Sequence, residues 1–190
     1  LFYLPAICTS TIVGTVFSKI FETNRGYLNV ILRALHLDFL CQQWLATPKT
    51  ALACLLFVNI WQWTGYSMLM YYTNMLNIPQ DLYESATIDG AGSFKQFIYI
   101  TFPLLRGTHI TLIILDILGA LKFFDLSYVL TDGGPAHATE TFSTYIYTKS
   151  FSTFQQGQAS TIVVYMFLIA MVLTVIQLKI YYKKDKKEMS

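Results

Sequence analysis

The side chains that could bind a metal ion or act as nucleophiles are scattered along this chain. Its three histidines, His36, His109 and His137, lie far apart, and its three cysteines lack the spacing of a metal site. The sequence contains neither a Gly-x-Ser-x-Gly nucleophile elbow nor a Gly-x-x-x-x-Gly-Lys phosphate loop. We therefore predict that the chain is not an enzyme, holds no metal and binds no cofactor of its own. Any energy from ATP must then come from another subunit.

The composition points to a membrane rather than to water. Hydrophobic residues make up 54% of the 190 residues and charged residues 13%. That charged share is about half of the ~25% found in ordinary soluble domains. So few charges cannot cover the surface of a water-soluble protein, and a net charge of +2 is too small to indicate a nucleic-acid partner.

Several apolar stretches have the roughly 20 residues that a helix needs to cross a membrane. We predict an all-α, polytopic transmembrane helical bundle that forms one domain over residues 1–190. The chain opens inside an apolar run, so we expect a fragment that lacks upstream spans. The predicted spans cover about residues 1–20, 50–72, 107–130 and 159–180.

The lysines that follow the last span indicate the orientation of the bundle. The run Tyr181-Tyr182-Lys183-Lys184-Asp185-Lys186-Lys187 comes directly after it. Lysine and arginine collect on the cytoplasmic side of membrane proteins. We therefore predict that the C-terminus and the loop 73–106 are cytoplasmic and that the segment 131–158 is external.

Three charged residues interrupt the third predicted span, namely Asp116, Lys122 and Asp125. Ionisable groups at membrane depth are costly and generally face a bundle interior or a water-filled cavity. Asp116 has no local partner, which favours a cavity. Lys122 and Asp125 are i, i+3 neighbours that either line the same path or neutralise each other and only fix packing. Aromatic residues could stack on a solute or belong to the interfacial belt; these are Trp61, Trp63, Phe123 and Phe124.

The loop between the second and third spans has the residues of two short helices joined by a sharp turn. Pro79 suits the first position of a helix, and Gly90 suits a left-handed end. Ser93 and Gln96 have the spacing of a capping box for the second helix. Pro103 then interrupts the backbone before the third span.

The first of these short helices is amphipathic. Leu82, Tyr83 and Ala86 share one face, and Glu84 lies elsewhere on the helix. A helix of this length is too short to be stable alone. It is therefore either a structural connector that packs on its own bundle or an element that docks a partner.

The spacing within this loop carries a family resemblance. Glu84-Ser85-Ala86, three residues, Gly90, nine residues, Ile100, one residue and Phe102-Pro103 resemble the EAA loop of ABC importer permeases. That pattern reads Glu-Ala-Ala, three residues, Gly, nine residues, Ile, one residue and Leu-Pro. Farther along, Thr131-Asp132-Gly133-Gly134-Pro135 and Thr139 resemble the external segment of carbohydrate permeases of the maltose-system type.

This resemblance implies a fold, a function and partners. The fold would be that of an ABC type I importer permease, with four spans of an expected six present. The function would be ATP-driven, binding-protein-dependent import of a sugar, most simply an oligosaccharide, across a prokaryotic plasma membrane. The implied partners are a second permease subunit, an ATPase pair that uses the ATP, an extracellular sugar-binding protein, membrane lipid and the sugar itself.

The resemblance also implies roles for individual residues. The coupling set that would contact the ATPase is Leu82, Tyr83, Glu84, Ser85, Ala86, Asp89 and Gly90. The substrate path would be lined by Trp61, Asp116, Lys122, Phe123, Phe124 and Asp125. The external segment either contacts the binding protein or only caps the bundle; its candidate contacts are Gly133, Gly134, Pro135 and Thr139. The alternatives are a permease for a polyamine, amino acid or anion, and a helical membrane protein outside this family.

Overall fold

The computed structural model describes residues 2–188, and every regular element within that range is helical. This confirms the predicted all-α class. The side chains of the basic tail that set the predicted orientation lie outside the described part. The α-helices are α1 Leu4–Ile7, α2 Ser10–Ile20, α3 Tyr27–Ala34, α4 Pro48–Met75, α5 Gln80–Ile88, α6 Ser93–Gln96, α7 Phe102–Leu104, α8 Arg106–Leu121, α9 Asp125–Thr131, α10 Phe142–Tyr147 and α11 Gln156–Glu188.

The helix lengths agree with the predicted spans to different degrees. The second predicted span lies inside α4 and the fourth inside α11, whereas the first is divided between α1 and α2. By length and composition, one described helix is apolar and long enough to cross a membrane, over Gln156–Lys179. A second candidate arises if the bent pair Ser93–Leu104 and Arg106–Leu121 counts as one span.

The buried core lies where α2, α4 and α9 meet. α2 and α9 approach closely because Gly14 carries no side chain: a Cβ there would lie 3.0 Å from Cγ1 of Val129. Apolar side chains of all three helices fill the remaining space and become inaccessible to solvent, which favours this packing. The fully packed members of this cluster are Val13, Phe21, Cys54, Val58, Leu126 and Leu130.

A second close contact joins the N-terminal segment to α4. A Cβ built on Gly65 would overlap the backbone carbonyl of Phe2, so only glycine fits this crossing. Nearby on α4, the buried side chain of Gln62 donates a hydrogen bond to the carbonyl of Cys8 (3.1 Å), in the break between α1 and α2. The N-terminal segment is therefore held to α4 by backbone contact as well as by side chains.

The connection between α2 and α4 is organised around one buried amide, that of Asn29 on α3. Its Nδ2 donates to the carbonyls of Thr23 (2.9 Å) and Gln42 (3.0 Å), and its Oδ1 accepts from the indole of Trp44 (2.8 Å). Asn29 is 1% exposed, so these bonds satisfy a group that would otherwise be costly to bury. They fix the path of a connection that has little regular structure.

The helix that enters α8 is bent. Ser93–Leu104 runs as α6, a π-helical turn over Phe97–Thr101 and α7, and it meets α8 at an angle of 62°. The break lies at Leu105, two residues after Pro103, as the sequence predicted for this proline. Between α4 and α8, the helices α5 and α6 thus form a hairpin that is attached to α8 by a bend.

Candidate functional site

The candidate coupling site is the hairpin of α5 and α6. α5 begins at Gln80, and Pro79 occupies the N-cap rather than the first helical position that the sequence predicted. The carboxylate of Asp81 lies in the first turn, where it interacts favourably with the positive end of the helix dipole. Pro79 therefore still marks the start of α5, but the helix begins one residue later than expected.

The turn after α5 forms as the sequence predicted. Gly90 has φ +75°, a left-handed conformation that favours glycine. The amide of Ala91 donates to the carbonyl of Ala86 (2.8 Å), and that of Gly90 donates to Thr87 (3.0 Å), which is a Schellman motif. A Cβ on Gly90 would meet no atom within 4 Å. The glycine is therefore required by the backbone conformation, and the space beside it is open.

The predicted capping box at the start of α6 is wrong. Gly92 is the N-cap, Ser93 is already helical, and no side chain caps this end. Gln96 turns instead toward α5, where its Nε2 donates to Thr87 Oγ1 (2.9 Å) and to the carbonyl of Ala91 (3.1 Å). A contact between the two helices has replaced a local one, and it holds the hairpin closed.

α5 has one face toward the rest of the chain and one toward the outside. Tyr83 and Ala86 are half-buried, and the hydroxyl of Tyr83 lies 2.8 Å from Oγ1 of Thr101, which is 4% exposed. Leu82 is 43% exposed and Ile88 is 88% exposed. The helical spacing placed Leu82, Tyr83 and Ala86 on one face, but the structure separates them. Leu82 faces outward, whereas Tyr83 and Ala86 face the rest of the chain.

The outward face carries both apolar and acidic groups. From the predicted coupling set, Leu82, Glu84, Ser85, Asp89 and Gly90 are exposed there. The structure adds two apolar residues that the sequence analysis did not single out, Ile88 and Phe94, the latter 76% exposed. No periodicity marks them, because they lie at the two sides of the turn.

His109 is a residue whose part in this site the sequence analysis missed. Its Nδ1 lies 2.8 Å from the hydroxyl of Tyr71 on α4, and its Nε2 lies 3.2 Å from the carbonyl of Phe102 on α7. Its ring also packs on that of Phe102, with centroids 4.6 Å apart. His109 therefore joins α4, α7 and α8 at the bend, and only its separation from the other histidines was visible in the sequence.

Of the two alternatives for Lys122 and Asp125, pairing on one helix face does not occur in the described structure. α8 ends at Leu121 and α9 begins at Asp125, so the two residues are not i, i+3 neighbours on one helix. Within the part of the chain that the structure describes, no salt bridge joins these two exposed residues. Asp116 is exposed near the middle of α8.

Three of the aromatic candidates lie in three different surroundings. Trp61 packs edge-on against Phe17 (5.2 Å) and borders an open, mostly apolar cleft of about 570 Å³ between α4 and the N-terminal segment. Phe123 packs on the buried core. Phe124 stacks on Tyr128 with centroids 5.1 Å apart, beside Tyr147. Of the predicted path residues that the structure describes, Trp61 lines this cleft, and Asp116, Lys122, Phe123, Phe124 and Asp125 do not.

The segment 131–158, predicted to be external, is built around Thr139. Its hydroxyl donates to the carbonyl of Gly134 (2.7 Å), and its own carbonyl accepts from Ser127 (2.6 Å). Thr139 is 3% exposed and Gly133 is also buried, so both act within the segment. Gly134 and Pro135 are half-buried, and the helix that follows them is α10 with its π-helical continuation over Thr148–Ser152. Among the described residues, no group of three His, Cys, Asp or Glu is placed to hold a metal ion.

Comparisons with known proteins agree with the loop spacing. A family model described as "Binding-protein-dependent transport system inner membrane component" matches residues 1–184. The chain is 35% identical over 187 residues to the probable ABC transporter permease protein YurN of Bacillus subtilis (strain 168). That match covers 98% of this chain and 64% of the relative.

Two further proteins extend the comparison. The chain is 33% identical over 177 residues to the trehalose/maltose transport system permease protein MalF of Thermococcus litoralis, covering 93% of this chain and 59% of the relative. A chain in the crystal structure of a bacterial ABC transporter involved in the import of the acidic polysaccharide alginate superposes with a TM-score of 0.87 at 23% identity, covering 96% and 63% of the two chains. The likeness to that structure shows a shared fold. The present chain spans less than two thirds of the length of each of these proteins.

Proposed function

Because this chain belongs to the family of binding-protein-dependent transport system inner membrane components, we propose that it is a permease subunit of an ATP-driven sugar importer. It forms part of the translocation path in a prokaryotic plasma membrane and carries out no chemistry itself. Its companions are a second permease, an ATPase pair and an extracellular sugar-binding protein. Alternating access results when ATP binding and hydrolysis by the ATPase shift the permease between outward-open and inward-open states.

The observation that carries this proposal is the α5–α6 hairpin. The helices α5 and α6 form a hairpin that is closed internally by Gln96 and has an outward face. That face exposes apolar residues on both sides of the turn, namely Leu82, Ile88 and Phe94. Exposed apolar groups next to acidic ones are typical of a surface that a partner covers. On this proposal the partner is the ATPase, which provides the energy that this chain cannot.

The membrane setting is supported by the apolar surfaces of the long helices. In Gln156–Lys179, only 6% of the most apolar window is buried within the chain. Such a surface is unfavourable in water and favourable in lipid or against another span. With the C-terminus cytoplasmic, as the lysine distribution predicts, the hairpin lies on the same side as the ATPase and α10 lies outside.

A sugar is the proposed cargo, and an oligosaccharide is the proposed size class. The relative from Thermococcus litoralis is described as a trehalose/maltose permease, and the matching transporter structure as an alginate importer. Trp61, at the open cleft, has the flat apolar face on which a sugar ring can stack. Asp116 on α8 and Lys122 in the break after it carry charged groups that can form hydrogen bonds with the hydroxyls of a sugar.

Transport in proteoliposomes tests this function. The full-length protein is co-expressed with its companion subunits, reconstituted with the binding protein, and supplied with labelled neutral oligosaccharides, spermidine or glutamine. We expect accumulation of the oligosaccharide that depends on enclosed ATP and on the binding protein. ATP-dependent uptake of spermidine or glutamine alone would keep the permease and change the cargo. No ATP-dependent uptake of any of these solutes, with the complex intact, would overturn the proposal.

A further inference from the structure

We propose that four side chains, Tyr83, Thr101, His109 and Tyr71, form a linkage that transmits movement of α5 to α4 and α8. We call these residues the linkage. They are positioning residues for energy coupling and contact no substrate. This inference rests on the proposed function, in which α5 is the element that the ATPase moves, and it specifies how that movement reaches the long helices.

The first joint of the linkage lies between α5 and the π-helical turn. The hydroxyls of Tyr83 and Thr101 are 2.8 Å apart although the residues are separated by 18 positions in the sequence. Thr101 is 4% exposed, so water cannot easily replace Tyr83 as its partner. The hydrogen bonds of Gln96 to Thr87 and Ala91 keep the two arms of the hairpin together. A displacement of α5 is therefore passed to the helix that contains Thr101.

The second joint crosses the bend. The carbonyl of Phe102 can only accept, so His109 must donate to it from Nε2–H across 3.2 Å. In the neutral ring, Nδ1 then accepts from the hydroxyl of Tyr71, 2.8 Å away. One imidazole thus bonds simultaneously to α7 and α4 while its backbone belongs to α8.

The two joints are adjacent. Thr101 of the first joint and Phe102 of the second are consecutive residues, and both precede the 62° bend. Movement of the hairpin must either move α4 and α8 with it or break a hydrogen bond in a half-buried site. A chain of packed side chains with specific hydrogen bonds is the kind of physical connection by which distant sites are coupled. This contact chain, rather than proximity alone, is the basis of the proposal.

Conservative variants test each joint. Tyr83→Phe and Tyr71→Phe remove one hydroxyl each and keep the ring. Tyr99→Phe and Tyr72→Phe are the controls, because Tyr99 lies in the π-helical turn with Thr101 and Tyr72 lies next to Tyr71 on α4. These two side chains are 77% and 57% exposed. The complex is assembled from the full-length protein, and the number of ATP molecules hydrolysed per solute imported is measured in proteoliposomes.

We expect the ATP-per-solute ratio to rise about fivefold in each linkage variant, the factor that corresponds to the loss of about one hydrogen bond. The controls should keep the wild-type ratio. Tyr83→Phe combined with Thr101→Val should give the same ratio as either single variant, because one bond is removed in all three. Additive effects in the double variant would overturn the first joint.

The test separates failure of this inference from failure of the proposed function. If the wild-type complex shows no ATP-driven uptake, the proposed function itself fails. If the wild type imports solute and Tyr83→Phe and Tyr71→Phe have the same ratio as their controls, the linkage is wrong. Reduced assembly with an unchanged ratio in the complexes that do form would assign the hydrogen bonds to folding alone and would equally overturn it.

Discussion

Substitutions of Gly90 distinguish a requirement of the backbone conformation from a requirement of a partner that lies against the turn. Any residue with a Cβ must adopt the left-handed conformation at φ +75°, which costs roughly 1–2 kcal/mol. A Cβ there meets no atom within 4 Å, so the side chain itself causes no clash within the chain. The cost to the isolated permease should therefore be about the same for Gly90→Ala and Gly90→Trp. A partner that lies against the turn would distinguish the two variants by the size of the side chain.

Two measurements are needed for this series. Thermal unfolding of the purified permease should show nearly equal decreases in Tm for Gly90→Ala and Gly90→Trp. In the assembled complex, Gly90→Trp should uncouple ATP hydrolysis from transport, whereas Gly90→Ala should lose only a small part of the transport rate. Gly92→Trp is the control for bulk without strain, because Gly92 has φ −69° and open space around its Cβ.

The transport rates of the two variants decide whether a partner lies against the turn at Gly90. If Gly90→Trp assembles and transports at the normal rate, no partner lies against the turn and the coupling assignment is wrong. Equal losses of transport for Gly90→Ala and Gly90→Trp would trace the whole effect to backbone strain. A much lower Tm for the tryptophan variant alone would contradict the open space that the structure shows beside Gly90.

Further predictions concern the connection, a helix crossing and the topology. Asn29→Ala removes three hydrogen bonds at a buried site and should lower the free energy of unfolding by about 3 kcal/mol, at about 1 kcal/mol for each bond. Amide hydrogen exchange in the connection between α2 and α4 should accelerate. The control Asn24→Ala, at an exposed position, should leave this exchange unchanged. Gly65→Ala forces two backbones apart and should cost roughly 1–3 kcal/mol, measured as a lower Tm; an unchanged Tm would contradict the tight crossing. Ser152→Cys should react with a membrane-impermeant maleimide in intact cells and Ser93→Cys only after permeabilisation; the reverse pattern would invert the topology.

Features determined by neighbouring residues could be predicted from the sequence. The left-handed glycine at position 90 and the break near Pro103 both depend on local backbone geometry, and both are present. The helical class followed from composition and the length of the apolar runs. Even so, the first residue of α5 was displaced by one position, because Pro79 serves as its N-cap.

Features determined by distant residues could not be predicted in this way. Gln96 was expected to cap its own helix, but hydrogen bonds to α5 compete with that local bond and replace it. Lys122 and Asp125 had suitable spacing for a pair, but α8 ends at Leu121 and α9 begins only at Asp125. Thr139 looked like an exposed contact residue, yet the folding of the segment around it buries its hydroxyl. None of these features can be recognised from the hydrophobic pattern of the sequence.

The bend before α8 determines in which direction α8 moves when a force acts on the hairpin. A force applied along the hairpin arm meets α8 at 62°, so most of the resulting displacement is sideways rather than along the axis of α8. With α8 in the bilayer, sliding along its axis would pull apolar surface into water at about 25 cal/mol per Å². A sideways tilt keeps the same surface in lipid. If the ATPase pushes on the hairpin, as the proposed function requires, the bend converts that push into a tilt of α8 that keeps its apolar surface in lipid.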